Sequence, residues 1–230
     1  MRLVNSACVL LLVFGTYQAF ADSIAVQNPS FEIPILSLGN APGQNGDSTG
    51  TWISYAPGWP GSVTGGAGEY MPSPTSLPSG ATDGNDVLWV NFGYVQQALN
   101  ATLQSGATYN LQVDVAQRTD DTPINYYVYL MAGNTIVAAD NSSLHPAPGT
   151  WLTSSLTYTA GANDPLAGQT LSIVLGVNTW QTDFDNVRLT ETPATVPTNG
   201  PGVGVPEPAS LALSGAGLLA LALRRRRKSL

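Results

Sequence analysis

The stretch Tyr109-Asn110-Leu111-Gln112-Val113-Asp114-Val115-Ala116-Gln117 has the clearest regular pattern in the chain. Its apolar and polar residues alternate one by one from Tyr109 to Val115. Successive side chains of a β-strand point to opposite faces, so this period of two predicts a strand with one face on a hydrophobic core.

Other segments with alternating or short apolar patterns predict the remaining strands. Glycine-containing turns, such as Asp83-Gly84-Asn85 and Ala132-Gly133-Asn134, separate them. No long stretch has helical periodicity, so the fold class predicted is an all-β sandwich. The predicted strands are 86–92, 94–99, 109–117, 124–131, 135–138, 151–159, 169–177 and 184–190, with weaker candidates at 24–27, 30–35 and 51–55.

The region from Leu36 to Gly84 is dense in Gly, Pro and Ser and poor in strand pattern. We expect long loops that cross one end of the sandwich. Two interpretations stay open at this point, because long loops in a compact domain are either ordered and functional or disordered.

The charge distribution excludes some partners. Between Asp22 and Thr195 the chain has fourteen acidic residues and two cations, Arg118 and Arg188, a net charge of −12 with no lysine. Binding to nucleic acid needs clustered Lys or Arg, so we expect no nucleic acid as a partner. An acidic surface suits a secreted protein that must stay soluble, or one that meets divalent cations.

The N-terminal segment 1–21 has the features of a secretory signal peptide. Arg2 is followed by a short apolar stretch and then by Ala19-Phe20-Ala21, an A-x-A cleavage site. The alternative is an uncleaved membrane anchor. Cys8, the single cysteine of the chain, lies in this segment. The predicted mature chain 22–230 therefore has neither a disulfide framework nor a thiolate metal site.

The C-terminal segment 205–228 has three parts. Val205-Pro206-Glu207-Pro208-Ala209-Ser210 overlaps an apolar run, 209–223, which a run of cations, 224–228, follows. As a helix the apolar run covers roughly 22 Å of a hydrocarbon core about 30 Å thick, so it predicts a short transmembrane helix. The cations would stay cytoplasmic, with the main domain on the far side of the membrane. Residues 191–204, rich in Pro, Gly and Thr, predict a stalk.

This arrangement resembles the PEP-CTERM sorting signal of Gram-negative bacteria. The resemblance implies transient insertion in the inner membrane, an exosortase as partner, and cleavage near the Pro-Glu-Pro motif. It also implies export to the outer surface or to an exopolysaccharide and biofilm matrix. An ordinary C-terminal anchor is the alternative.

The segment between the two ends, 22–190, resembles secreted jelly-roll domains of the galactose-binding-like kind, which include many carbohydrate-binding modules. The opening Asn28-Pro29-Ser30-Phe31-Glu32 and the closing Phe184-Asp185-Asn186-Val187-Arg188-Leu189 carry most of this resemblance. It implies a jelly-roll β-sandwich and polysaccharide as a ligand. Fold does not fix function, so binding is an expectation.

Asp185 is the acid that the sequence singles out. On a regular strand it shares a face with Val187 and Leu189, which predicts an inward-facing carboxylate in need of a partner. By resemblance it is a ligand of a structural Ca²⁺, with Glu32 and Asp83 as further ligands, since Ca²⁺ takes oxygen donors. The alternative is a carboxylate that caps a turn or pairs with an arginine.

Aromatic side chains supply the candidate sugar-binding surface, because sugar rings pack their C–H faces on Trp and Tyr. Trp89 and Trp151 lie within strand patterns and are expected in the core. The candidate ligand-binding residues are Trp52, Tyr55, Trp59, Tyr127 and Tyr129.

The sequence gives little sign of catalysis. His145 is the single histidine, in a Pro-rich loop, and no spacing marks a pair of carboxylates for glycoside hydrolysis. Phosphate-loop, zinc and EF-hand motifs are absent from the sequence. We therefore expect a non-catalytic carbohydrate-binding module of the matrix. The alternatives are a structural matrix or adhesion protein without a small ligand and, third, a hydrolase.

Overall fold

The computed structural model of the chain describes residues 20–33, 45–47, 50–121 and 124–194. These residues form strands, turns and loops but no helix, so none of them lies in a helix that is long and apolar enough to cross a membrane. The predicted leader 1–21 lies almost wholly outside the described residues. The predicted transmembrane helix 209–223 lies entirely outside them.

Thirteen strands are present in the described residues. They are β1 Asp22–Ile24, β2 Asn45–Asp47, β3 Gly50–Trp52, β4 Gly61–Val63, β5 Ala67–Pro72, β6 Val87–Val90, β7 Gly93–Thr102, β8 Thr108–Gln117, β9 Tyr126–Ala132, β10 Thr135–Asn141, β11 Thr150–Thr159, β12 Thr170–Val177 and β13 Thr182–Thr192.

The strands form two sheets. The larger, eight-stranded sheet has the order β11-β8-β13-β6-β5-β3-β2, with β1 paired to β13. The smaller, five-stranded sheet has the order β10-β9-β12-β7-β4. The strands of the described residues pair antiparallel, for example with Trp151 of β11 opposite Ala116 of β8. The prediction of an all-β sandwich is confirmed.

The main core lies between the inner faces of the two sheets. The apolar residues of β8 that the alternation selected, Tyr109, Leu111, Val113 and Val115, are all fully buried there. Leu130, Ile173 and Leu175 of the smaller sheet belong to the same cluster. Burial of such side chains contributes roughly 1.5–3 kcal/mol each relative to exposure.

A β-bulge in β13 changes the predicted orientation of Asp185. The pairing of β13 with β8 shifts register between Asp185 and Arg188, and Asn186 has a left-handed φ of 52°. Phe184 and Val187 both lie in the main core. Asp185, next to Phe184, therefore points to the outer face. The expected row of Asp185 with Val187 and Leu189 is wrong, because the bulge reverses the alternation between them.

The described part of the region 36–84, residues 45–47 and 50–84, has more strand structure than predicted. Four strands, β2 to β5, fall within it, and three of them extend the edge of the larger sheet. Trp59, predicted as a candidate sugar-binding residue, is 2% exposed and packs on Phe31 with ring centroids 5.6 Å apart. Its indole N–H donates to the carbonyl oxygens of Gln27 and Asn28. Trp59 is therefore a core residue and not part of a sugar-binding surface.

Candidate functional site

A second apolar cluster covers the outer face of the larger sheet. On β6, Leu88 and Val90 point into the main core, so Val87 and Trp89 point outward. Trp89 packs there with Tyr70, and Trp52 and Trp151 lie against them. Trp89 and Trp151 were expected in the core, but both belong to this outer cluster.

A cavity of about 300 Å³ opens beside this cluster. The loop at Gly66, which has a φ of 98°, lies close to Trp89. A Cβ at this position would be only 2.9 Å from the indole ring, so the close approach requires glycine. A volume of this size is at the lower end of ligand sites, which are mostly apolar with a few placed polar groups. The lining residues are Trp52, Gly65, Tyr70, Trp89, Asn91, Arg118 and Gln181.

Asp183 adjoins two residues of this lining, Trp89 and Gln181. It is opposite Trp89 in the pairing of β13 with β6, and like Asp185 it flanks Phe184 and points outward. Its exposure is 0%. The Gln181 amide donates to its Oδ1 at 2.6 Å, while its buried Oδ2 has no hydrogen-bond partner.

Burial raises the pKa of Asp183 to about 7, although the hydrogen bond from Gln181 and the charge of Arg118 both act to lower it. Desolvation disfavours the charged form of a buried carboxyl group. Asp183 is therefore a neutral carboxylic acid over much of the acid-to-neutral range, and such a group can donate a proton.

Arg118 stands next to this acid but is paired elsewhere. Its Nε and Nη2 donate to the two carboxylate oxygens of Asp120 at 2.9 and 2.5 Å. Its Nη1 donates to Gln181 Oε1 at 3.0 Å, and its guanidinium lies 5.4 Å from the centre of the Tyr70 ring. The amide of Gln181 thus separates the cation from Asp183.

Asp185 shares the strand and the outer face with Asp183 but has different partners. Its Oδ2 accepts hydrogen bonds from the Thr82 N–H, the Thr82 hydroxyl and the Asp83 N–H, at 2.7 to 2.9 Å. Its Oδ1 accepts from the Asn186 N–H at 2.7 Å. Asp185 therefore caps the turn at Thr82, which was the alternative to a metal ligand.

Of the other predicted calcium ligands, Glu32 binds the same turn and Asp83 belongs to it. Glu32 Oε1 accepts from the N–H groups of Asn85 and Asp86, both at 2.6 Å, and Asp83 Oδ2 accepts from the Ser30 hydroxyl. In the part of the chain that the structure describes, no three His, Cys, Asp or Glu residues are grouped so that they could hold a metal ion. Calcium at Asp185, Glu32 and Asp83 stays a prediction.

A second groove lies on the outer face of the smaller sheet, with a volume of about 460 Å³. Tyr127 and Tyr129, both predicted ligand-binding residues, stack there with ring centroids 4.9 Å apart. Gly176 on β12 has no side chain, so the Tyr127 ring lies flat against it. None of the described residues that line this groove is charged. They are Tyr94, Gln96, Tyr127, Tyr129, Met131, Ile136, Val174 and Asn178.

The other two predicted aromatic residues, Trp52 and Tyr55, lie in different environments. Trp52 lines the first cavity, so the structure brings it together with Trp89 and Tyr70. Tyr55 is 56% exposed and lines neither cavity. The five candidate residues therefore do not form one surface.

The sequence of residues 22–190 matches the HpiC1-like family, described as HpiC1 cyclase. This match covers more than two thirds of the chain. The chain belongs to the HpiC1-like cyclase family. Residues 204–227 match the PEP-CTERM protein-sorting motif, which confirms the resemblance of the tail and implies export and recognition by an exosortase.

Solved structures of cyclases agree with the family. The Stig cyclase Fisc from Fischerella sp. TAU, in complex with (3Z)-3-(1-methyl-2-pyrrolidinylidene)-3H-indole, is 26% identical over 76% of this chain and 100% of that chain, with a TM-score of 0.67. A cyclase from Fischerella sp. TAU in complex with 4-(1H-indol-3-yl)butan-2-one is 28% identical over 76% of this chain and 100% of that chain, with a TM-score of 0.62.

Likeness to carbohydrate-binding modules is much weaker. The CBM22-1 xylan-binding domain of Paenibacillus barcinonensis Xyn10C is 14% identical over 60% of this chain and 87% of that chain, with a TM-score of 0.41. No curated protein sequence matches the chain significantly.

The cyclase family overturns the expectation that this protein is not an enzyme. That expectation was wrong because it rested on the absence of familiar catalytic motifs, and Asp183 belongs to none of these motifs. Gln181 and Asp183 were missed, since one acid in an alternating strand has no distinctive spacing. The available signal was Arg118, one of only two cations between Asp22 and Thr195, with Asp120 and Asp121 next to it in the sequence.

Proposed function

We propose that this protein is an exported cyclase that closes a ring in an unsaturated substrate by proton transfer from Asp183. The observation that carries the proposal is the Asp183 carboxyl group, fully buried beside an aromatic cavity and with one oxygen unpartnered. The two Fischerella cyclases were solved with indole compounds. We infer a flat aromatic substrate of indole size, which suits a cavity of about 300 Å³.

The proposed reaction is an isomerisation. Asp183 Oδ2–H gives its proton to one carbon of a C=C double bond in the substrate. The π electrons of this double bond form the new C–H bond. The adjacent carbon becomes cationic, and an electron-rich ring carbon of the same molecule attacks it. Loss of a proton from the ring carbon to the Asp183 carboxylate restores aromaticity and the acid. Atoms and electrons balance without an oxidant or reductant.

The surroundings of Asp183 favour this chemistry. Trp52 and Trp89 offer aromatic faces, which stabilise a nearby cation by about 0.5–2 kcal/mol each. Arg118 would oppose a cationic intermediate, but its bidentate pairing with Asp120 offsets its charge. Holding both ends of one substrate in the cavity also removes much of the entropic cost of ring closure.

Solvent deuterium tests this reaction class. The full chain is incubated in D₂O with indoles that carry a side-chain alkene. We expect a product with one deuterium on a former alkene carbon, and loss of this product in Asp183→Asn. Asp185→Asn is the matched control, because it lies on the same face with the same burial. Product formation by Asp183→Asn at the wild-type rate would exclude Asp183 as the acid.

The sorting motif supports an activity outside the cytoplasm. We propose that segment 1–21 is removed, that 209–223 inserts transiently in the inner membrane, and that an exosortase cleaves near Pro206-Glu207-Pro208. The product would reach the outer surface or the exopolysaccharide matrix. Mass spectrometry of the protein from hosts with and without an exosortase tests this. A tail retained in both would contradict it.

A second candidate function is glycan binding on the smaller sheet. The uncharged groove with the stacked Tyr127 and Tyr129 favours it, since neutral sugars present C–H faces to aromatic rings and hydroxyls to amides such as Gln96 and Asn178. This binding would hold the enzyme on matrix polysaccharide. Affinity electrophoresis in polysaccharide gels tests it, and unchanged mobility in every gel would exclude it.

Structural calcium is a separate proposal. Glu32 and Asp185 accept hydrogen bonds from the 82–86 turn, and Asp83 belongs to that turn. Carboxylate oxygens are the ligands that Ca²⁺ prefers. The proposal predicts that EDTA lowers the Tm of the full chain and that added calcium restores it. Glu32→Gln should remove this response. A Tm that EDTA leaves unchanged would exclude calcium.

A further inference from the structure

The orientation of the Gln181 side-chain amide is determined by its two neighbours. The Arg118 guanidinium has N–H donors and no acceptor, so the atom that it contacts at 3.0 Å must be the amide oxygen. The other end of the amide is then an N–H₂ group, and it lies 2.6 Å from Asp183 Oδ1. The amide cannot be reversed without losing both bonds.

Arg118 is itself held on two sides. Asp120 binds it through two parallel hydrogen bonds, which is the geometry that fixes a guanidinium most firmly. Its planar group also lies over the Tyr70 ring. A chain of defined bonds therefore runs from Asp120, whose side chain is 41% exposed, through Arg118 and Gln181 to the fully buried Asp183.

We propose that Gln181, fixed by Arg118, is the positioning residue that makes Oδ1 of Asp183 the carbonyl oxygen and confines the reactive proton to Oδ2. An N–H donor on Oδ1 favours a lone pair there, so a proton on the same oxygen would oppose the donor. Oδ2 has no partner to compete for its proton. This inference rests on the proposed role of Asp183 as an acid and adds which atom reacts and what directs it.

The vibrational spectrum of Asp183 tests this without a substrate. Full burial, with the Gln181 amide between Asp183 and Arg118, favours the protonated form of this carboxyl group, so spectra recorded at about pH 5 report on the acid. The infrared difference between the full-length wild type and Asp183→Asn isolates its C=O stretch. If Oδ1 is the carbonyl that accepts from Gln181, Gln181→Leu should move this band to higher wavenumber. Arg118→Met should move it in the same direction by less, since the amide is then free to turn.

Gln96→Leu is the matched control, because Gln96 lines the groove on the other sheet. It should leave the band in place. Melting temperatures of all variants separate misfolding from a local effect. If Gln181→Leu fails to fold, Gln181→Met serves instead, as it keeps the length of the side chain. A band that does not move in a folded Gln181 variant would overturn the proposal.

Turnover provides the second readout. We expect Gln181→Leu to lower kcat about tenfold or more while the Kd of 4-(1H-indol-3-yl)butan-2-one stays within about twofold. In the double variant with Arg118→Met, the losses should not add, since both residues act through one amide. Additive losses would overturn the positioning chain. Full activity in Asp183→Asn would instead overturn the proposed function and leave the infrared result intact.

Discussion

Each outer face of the sandwich has a depression lined by aromatic side chains, but among the described residues only the one on the larger sheet has charged groups at or beside its lining. On the larger sheet, the cavity of about 300 Å³ holds Arg118 and lies against the buried acid Asp183. On the smaller sheet, the groove of about 460 Å³ is lined by tyrosines and amides without a charged residue among those described. Both faces offer aromatic rings, so aromatic content alone does not distinguish a reactive site from a binding surface.

What distinguishes them is the presence of a polar group whose burial is not fully compensated. Asp183 has one hydrogen bond to Oδ1 and none to Oδ2, whereas every phenol hydroxyl of the stacked pair has an acceptor. A buried polar atom without a partner costs free energy, and such costs persist at functional sites. This difference is the reason why we propose chemistry for the larger sheet and adhesion for the smaller one.

The largest effect should come from Asp183→Asn. The amide keeps the shape of the side chain but has no acidic proton, so we expect kcat to fall about 10²–10⁴-fold. Retention on polysaccharide gels should stay as in the wild type. Steady-state kinetics with an alkenyl indole, next to affinity electrophoresis, measures both. Loss of polysaccharide retention in a folded Asp183→Asn would show that the two faces are not independent.

Substitution of the tyrosine pair should weaken polysaccharide binding and leave turnover unchanged. Replacement of Tyr127 and Tyr129 together by alanine removes both stacking faces, and the Kd for a retained polysaccharide should rise at least about tenfold, or 1.4 kcal/mol. Turnover should be unchanged. Tyr55→Ala is the control, because its ring is 56% exposed but lies outside both grooves. Equal loss of retention in Tyr55→Ala would contradict the assignment of this groove.

Trp52 tests the aromatic wall of the reactive cavity. We expect Trp52→Ala to raise the Kd of 4-(1H-indol-3-yl)butan-2-one about two- to twelvefold, since a stacked aromatic pair contributes roughly 0.5–1.5 kcal/mol. Fluorescence or calorimetric titration measures this Kd. The same probe should bind the Tyr127/Tyr129 variant as it binds the wild type. A Kd that depends on the tyrosines and not on Trp52 would reverse the roles of the two faces.

The smallest effect concerns pH and stability. Burial raises the pKa of Asp183 to about 7 and that of Glu69 to about 8, above the values near 4 of the unfolded chain. The folded state thus binds more protons between about pH 4 and 8, so its stability is complete below pH 4 and falls as pH rises through 7 and 8. We expect Tm to drop by about 5 °C or more from pH 5 to 8. Glu69→Gln should flatten this profile, and a Tm that rises over this range would contradict it.

The sequence predicted the sandwich well where packing on one face governs each strand. Tyr109 to Val115 alternate because one sheet face is buried, and that requirement is visible in the residues themselves. Within 36–84, β3 overlaps the weaker candidate 51–55, whereas β2, β4 and β5 were not predicted, because Gly, Pro and Ser dominate that region.

The site was harder to predict for a physical reason. Asp183 and Trp89 are 94 residues apart and meet only through the pairing of β13 with β6. The face of Asp185 was mispredicted because a single bulge at Asn186 reverses the pattern. The tyrosine pair was foreseen, since Tyr127 and Tyr129 share a strand and a period of two places them together.

A crystal structure of the full chain with 4-(1H-indol-3-yl)butan-2-one bound tests the central claim most directly. The account predicts the indole in the cavity of the larger sheet, against Trp52 and Trp89, with a polar or unsaturated atom of the ligand within reach of Asp183 Oδ2. An indole seated on Tyr127 and Tyr129, with the Asp183 cavity empty, would contradict it.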